Sequence, residues 1–175
     1  INHIEEQKEY NEKSPLMKLN PSGFYKGEIS FYIDNHFQVE YPLVQKDNNI
    51  EALVNMYKAK LNSDEFAESV NLVLGLEAKD AYGMEMIDCD NVYGSRNAIK
   101  NNYEEGISTI SVYAEDKEEC IELMKLVQHQ MEDSRSKVAA KFGKHDLIVF
   151  DEDCIFVSDI QLQTYQRTNR EKIQN

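Results

Sequence analysis

The sequence has no tryptophan, and its 175 residues include only three prolines and seven glycines. A sandwich of many short strands needs a turn-rich composition, so this scarcity argues against one and favours substantial helix. The longest apolar runs, such as 147–150, are far below the roughly 18 residues that a membrane-spanning helix needs. The three cysteines, Cys89, Cys120 and Cys154, have no paired spacing. They predict neither a disulfide framework nor a zinc site, and we interpret them as buried apolar residues.

Positive charge is also scarce. Lys and Arg number 19 against 32 Asp and Glu, which gives a net charge of -13 and a pI near 4.7. A nucleic-acid backbone would be repelled on average, so nucleic acid is not an expected partner. The apolar residues recur in periodic blocks that can be buried, which argues against disorder. We expect residues 1–175 to form a single domain.

Alternating apolar and polar residues predict the strands. Ile29, Phe31 and Ile33 share one parity and Glu28 and Ser30 the other, as in a half-buried strand. Similar patterns occur elsewhere, and those around Ile29, Ile110 and Ile148 are expected to share one sheet. The predicted strands are 24–33, 37–43, 82–87, 107–113 and 146–157, the last being either one bulged strand or a strand pair.

Capping residues and three-to-four-residue spacing predict the helices. Ser63 begins a helix that Gly75 stops, and the capping box 116–119 begins a long amphipathic helix that continues to Gly143. Residues 47–49 are expected to cap another helix, and Ser158 the last one. An extended link is expected at 16–20 and a loop at 91–105. The fold class is α+β: one mixed sheet covered by helices.

The two ends of the chain are polar and helix-forming. Residues 1–13 and 158–175 are predicted to be stalk-like helices, with only Ile160, Tyr165 and Ile173 to bury in the second. We expect them to lie side by side and to lead to membrane spans outside this sequence.

The polar residues form no recognisable catalytic pattern. His145 and Asp146 could act as a base with its orienting carboxylate, but no nucleophile accompanies them and a solvated turn is the favoured interpretation. The acidic segments 88–90 and 151–153 lack the glycine and closing glutamate of a calcium loop, and charged loops are the favoured interpretation. The sequence therefore predicts no catalytic residues, no metal site and no cofactor.

Charge is concentrated at the two ends of the predicted long helix. Two hypotheses fit: the groups pair between copies of the chain, or they are solvated helix ends that follow the preference of the helix dipole. The acidic group is Glu115, Asp116, Glu118 and Glu119, and the basic group is Arg135, Lys137, Lys141 and Lys144.

Two segments resemble a known family. Tyr57 to Phe66, with Val70 and Gly75, resembles that family's helix, Ser-initiated second helix and glycine stop. Ile107 to Tyr113, followed by Asp116 and Cys120, is similar to its strand, the acidic residue before a helix, and its amphipathic helix. The family is the extracytoplasmic domain of polysaccharide chain-length determinant proteins, or polysaccharide co-polymerases, in the shorter Gram-positive-like form. The resemblance extends over most of residues 20–165.

The resemblance implies a non-enzymatic regulator in the cell membrane whose domain faces outside the cytoplasm. Two membrane helices would bracket that domain. It would act as a homo-oligomer that sets the length of a surface polysaccharide made by a membrane polymerase. Some members also activate a cytoplasmic tyrosine kinase. The alternative is an extracellular glycan- or ligand-binding module, which would expose clustered aromatic side chains in a groove. The candidates are Tyr25, Tyr32, Tyr93 and Tyr103.

Overall fold

The computed structural model of the chain describes residues 2–34, 43–88 and 107–174, with side chains described from Ile50 onward in the second of these ranges. The helices in these ranges are α1 (Asn2–Lys13), α2 (Pro15–Lys18), α3 (Leu43–Leu61), α4 (Asp64–Val73), α5 (Lys117–Phe142) and α6 (Ile160–Glu171). The strands are β1 (Phe24–Asp34), β2 (Ile87–Asp88), β3 (Ile107–Ala114) and β4 (Asp146–Val157), and a short 3₁₀ helix covers Gly83–Met86.

One four-stranded sheet with the order β2-β3-β1-β4 organises the fold, which is α+β as predicted. The expectation of a mixed sheet is wrong, because each described pair of neighbouring strands is antiparallel. The α5 crossover does join two strands of the same direction, β3 and β4. However, β1 lies between them and runs the other way, so no parallel neighbours result.

The strands around Ile29, Ile110 and Ile148 share this sheet, as predicted. Ile29 lies opposite Ile110, and Tyr32 opposite Ile148. The register between β1 and β4 shifts after Ser30, which pairs with Asp151 whereas Phe31 pairs with Val149. Phe150 is therefore the extra residue of a β-bulge. Of the two predictions for 146–157, the single bulged strand is confirmed.

The inner face of the sheet carries the larger hydrophobic core. Ile29, Phe31 and Ile33 are buried there against α3, α4 and α5. The predicted packing of the long helix is confirmed, since Met124, Val127 and Met131 are buried in this core. Gly27 permits the close approach of the helix, because a Cβ atom there would lie 2.6 Å from the sulfur of Met124.

A second, smaller core covers one end of the outer face. It joins the terminal helix α6 to α2 and to the sheet. Its buried side chains are Leu16, Leu19, Phe24, Met86, Tyr113 and Leu162. The terminal segments therefore contribute side chains to the packed structure.

Several helix boundaries follow the predicted capping residues. The Ser63 hydroxyl accepts a hydrogen bond from the Phe66 amide at 3.3 Å, and the Asp116 carboxylate accepts one from the Glu119 amide at 2.8 Å. Gly75 and Gly143 follow their helices with positive φ angles of 72° and 91°, a region that favours glycine.

Two other boundaries differ from the prediction. Helix α3 begins at Leu43 rather than after 47–49, since neither glycine nor proline interrupts residues 43–50. Helix α6 is capped by Asp159 instead of Ser158, because the Asp159 carboxylate accepts the Gln161 amide at 2.8 Å.

Two predicted extended segments are helical. The link at 16–20 contains part of α2, which begins at Pro15 because proline fits the first helical position. The segment 82–87, predicted to be a strand, instead forms the 3₁₀ helix and the two-residue β2. The Asp80 carboxylate closes a turn there, because it accepts hydrogen bonds from the backbone amides of Tyr82 and Gly83. The loop predicted at 91–105 lies outside the described residues. So does the strand predicted at 37–43, except for its last residue, which begins α3.

Candidate functional site

The acidic group lies where the sequence predicted it, at the start of the 26-residue helix α5. Asp116 is the capping residue, and its negative charge complements the amino end of the helix dipole. Burial, with a further contribution from Asp116, raises the pKa of Glu119. Glu115 and Glu118 are exposed.

Lysines from the amino-terminal helices lie beside this acidic group. Glu115 and Glu119 line a cavity of about 180 Å³ together with Lys13 at the end of α1 and Lys18 at the end of α2. Lys13 also forms an ion pair with Glu9 at 2.8 Å, which raises the pKa of Lys13. The acidic group therefore faces positive charge of its own chain on one side.

The basic group lies toward the other end of α5, roughly 35 Å from the acidic group at 1.5 Å per residue. Lys137, Lys141 and Lys144 are exposed. Arg135 forms an ion pair with Glu132 of the same helix, with 3.2 Å between the guanidinium and carboxylate atoms. The structure thus places the two predicted groups apart within one chain, so a pairing between them would have to join different copies.

A second cavity of about 410 Å³ opens at the basic end. Arg135, Ser136, Ala139, Lys144, His145 and Asp146 line it. Its volume is within the range of small-molecule sites, and its lining carries the positive charges of Arg135 and Lys144 against the one negative charge of Asp146. An anionic group is the complementary ligand chemistry.

His145 differs from both of its predicted roles. It is buried rather than solvated, and its Nε2 lies 2.5 Å from the hydroxyl of Tyr57. Its Nδ1 is 3.1 Å from the carbonyl oxygen of Gly143, so Nδ1 carries the proton and Nε2 accepts from Tyr57. The group that orients the ring is therefore the backbone carbonyl of Gly143, and not the carboxylate of Asp146 that the sequence suggested. Burial raises the pKa of Tyr57 to about 12, although Arg135 opposes the change.

The terminal helices lie side by side, as predicted, and they are antiparallel. Gln7 bonds Asn169 at 3.2 Å, and the hydroxyls of Tyr10 and Tyr165 are 2.5 Å apart. The later contact in α1, at Tyr10, is thus made with the earlier residue of α6, Tyr165. The start of α1 and the end of α6 consequently lie at the same end of the pair.

The half-buried carboxylate of Glu85 anchors this pair to the rest of the chain. The Tyr10 hydroxyl donates to Glu85 at 2.5 Å, and the Ser14 hydroxyl donates to the same carboxylate at 3.1 Å. Tyr10 uses its only proton for Glu85, so Tyr165 donates to Tyr10. Burial raises the pKa of Glu85, while the bonds from Tyr10 and Ser14 oppose the rise. Burial together with Glu85 raises the pKa of Tyr10 well above its usual range.

Helix α6 buries residues that the sequence pattern did not identify. Leu162, Gln166 and Asn169 are buried, whereas Ile160, predicted to be buried, is exposed. The Gln166 amide donates to the carbonyl oxygens of Leu16 and Leu19 at 3.0 and 2.8 Å. Leu162 was the available signal, since Gln166 follows it by four residues and Asn169 follows Gln166 by three.

The other predicted candidates are not brought together. Tyr25 packs against Phe156 with 5.1 Å between ring centroids, and Tyr32, seven residues further along β1, lies on the opposite face. Tyr93 and Tyr103 lie outside the described residues. In residues 2–34, 43–88 and 107–174, no three His, Cys, Asp or Glu side chains converge to hold a metal ion.

No model of a known protein family matches the chain, and neither does any curated protein or solved structure with which it was compared. Among the helices described, none is both long and apolar enough to cross a membrane. A proposal for the function therefore has to be argued from the structure itself. The relevant features are the terminal helices, the two ends of α5 and the sheet.

Proposed function

We propose that this chain is the extracytoplasmic domain of a non-enzymatic regulator of surface polysaccharide chain length, anchored to the membrane through both of its ends. One observation carries the proposal: the antiparallel pair of α1 and α6 directs both chain ends to one side. A domain tethered twice to one bilayer needs this arrangement. In this proposal a movement of the membrane anchors passes through α1 and α6 to the rest of the domain. This is because Tyr10 of α1 is bonded to Glu85 and Gln166 of α6 is bonded to α2.

The regulator acts as a homo-oligomer. Each copy carries a net charge of -13, so distant copies repel one another and lateral contacts must be local. The exposed lysines 137, 141 and 144 at one end of α5 and the exposed Glu115 and Glu118 at the other are complementary. Since roughly 35 Å separates these two groups, neighbouring copies would be staggered along the helix axis. The membrane polymerase is the partner whose product length the assembly sets, and a cytoplasmic tyrosine kinase is a further partner in part of the family.

Deletion of the gene in its host tests the polysaccharide assignment. The expected result is a changed modal length of the surface polysaccharide on a gel, restored by the wild-type gene. An unchanged length distribution would contradict it.

Charge reversal tests the oligomer contacts in the same strain. Replacing Lys137 and Lys141 by Glu should alter the length distribution, and adding Glu115→Lys and Glu118→Lys should restore it. Lys125→Glu, an exposed reversal in the middle of α5, is the matched control. Equal effects of the control and the reversed pair would argue against these contacts.

The 410 Å³ cavity favours a second candidate, an extracellular module that binds an anionic glycan. Titration calorimetry with uronic-acid oligosaccharides tests it. Binding that Lys144→Gln abolishes would favour this candidate over the first.

A further inference from the structure

Among the residues that the structure describes, the outer edge of β4 is an open strand edge. β4 pairs with β1 on one side, and no strand from the described ranges 2–34, 43–88 and 107–174 pairs with its other side. It is 12 residues long, about twice the usual strand length. An edge of this kind presents unpaired backbone donors and acceptors, and it is a template for an added strand.

Large apolar side chains lie along this edge and are incompletely covered. The exposed fraction is 47% for Ile148, 55% for Phe150, 46% for Ile155 and 65% for Phe156. They occupy both halves of the strand, on either side of its centre. An added strand would cover them, since side chains of neighbouring strands pack in cross-strand pairs.

The centre of β4 is acidic. Asp151, Glu152 and Asp153 are all exposed. Asp153 lies directly opposite Glu28 of β1, and like charges in this position destabilise a sheet. Lys26 offsets part of this charge, with 3.3 Å between its Nζ and the Glu28 carboxylate. A cationic side chain on the open side of β4 would offset the remainder.

A second copy of the chain is a poor occupant. Antiparallel pairing of β4 with itself about its centre would place Asp151 opposite Glu152 and Asp153 opposite Phe150. Three carboxylates of each copy would then meet at the middle of the interface, between two chains of net charge -13.

We propose that the open edge of β4 binds an extended, basic segment of a partner protein as a fifth strand. On the outer face of β4 the order is Ile148, Asp151, Asp153 and Ile155, with the bulge at Phe150. The complementary segment carries an apolar, two basic and an apolar side chain at alternate positions. The backbone hydrogen bonds supply affinity, and the charge pattern supplies specificity. This site does not depend on the function proposed above.

Fluorescence polarisation with a labelled peptide tests the proposal. In this peptide Thr alternates with Ile, Lys, Lys and Val, in that order, and these four residues are placed to lie on the outer face of the sheet. The expected result is saturable binding to the wild-type protein. Replacing Asp151 and Asp153 by Asn should weaken it at least tenfold. The matched control, Glu122→Gln with Asp133→Asn, removes two exposed charges from α5 and should change it less than twofold. Thermal melting of both variants verifies that they are folded.

Two further measurements separate strand addition from simple charge attraction. A peptide N-methylated at alternate backbone positions keeps its charge but loses its hydrogen bonds, and it should bind at least tenfold more weakly. Hydrogen exchange should slow in 146–157 when the unmodified peptide binds. Equal binding of the methylated peptide, or equal weakening by the α5 control, would overturn the proposal. Dimerisation of the wild-type protein with slowed exchange in β4 would overturn it in favour of a second copy.

Discussion

Replacement of Gln166 by Leu should strongly destabilise the chain, because α6 is held to α2 by this side chain. Gln166 is 2% exposed, and its amide donates to the carbonyl oxygens of Leu16 and Leu19. Leucine has a similar volume but no donor, so both buried carbonyls lose this partner. An unsatisfied buried group costs about 1–3 kcal/mol. Greater burial of apolar surface offsets part of the loss, and we expect a net loss of about 2–4 kcal/mol.

Urea unfolding followed by circular dichroism measures this change. The midpoint should fall while the slope stays the same, since the surface exposed on unfolding is unaltered. Gln163→Leu is the matched control, because Gln163 is exposed on the same helix, and it should change stability by less than about 0.5 kcal/mol. A Gln166→Leu midpoint equal to that of the control would refute the docking of α6 on α2.

Three more predictions concern the larger core, the half-buried carboxylate of Glu85 and the cysteines. Val127→Asp places an unpaired charge in the larger core and should cost at least about 3 kcal/mol, whereas exposed Lys125→Asp should cost far less; equal melting temperatures would contradict this. The raised pKa of Glu85 means that the wild type loses stability as pH rises from about 4.5 through that pKa. Glu85→Gln lacks this loss, so its stability relative to the wild type should rise over the same interval; a constant difference in urea midpoints would argue otherwise. Burial raises the pKa of Cys120, so iodoacetamide should modify half-buried Cys154 at least tenfold faster than Cys120. Peptide mapping measures both rates, and equal rates would contradict the burial of Cys120.

Local patterns predicted much of the fold. Ser63, Asp116, Gly75 and Gly143 mark helix ends through contacts within a few residues, so their effect can be inferred from neighbouring sequence. The parity of Ile29 and its neighbours identified the inner face for the same reason. The strand order could not be inferred this way, because insertion of β1 between β3 and β4 depends on pairing between distant segments.

The polar contacts of the terminal helices were also missed. Tyr10 bonds Glu85, and Gln166 bonds the backbone at Leu16, across sequence separations of 75 and 150 residues. In isolation such residues are typical of a solvated helix, and only tertiary structure gives them buried partners. The charged ends of α5 were placed correctly, but Lys13 and Lys18 beside the acidic end come from distant segments.

The return of both chain ends to one side is the central claim, and a spin-label distance measures it most directly. Nitroxides attached through encoded keto amino acids at Glu5 and Lys172 report on neighbouring helix ends. Packed helices lie about 8–10 Å apart, so with the label arms we expect a narrow distribution at roughly 15–25 Å. The pair Glu5 and Gln161 should be longer, because 11 residues correspond to about 16 Å along α6. A broad distribution, or a longer distance for Glu5 and Lys172 than for Glu5 and Gln161, would contradict the antiparallel pair.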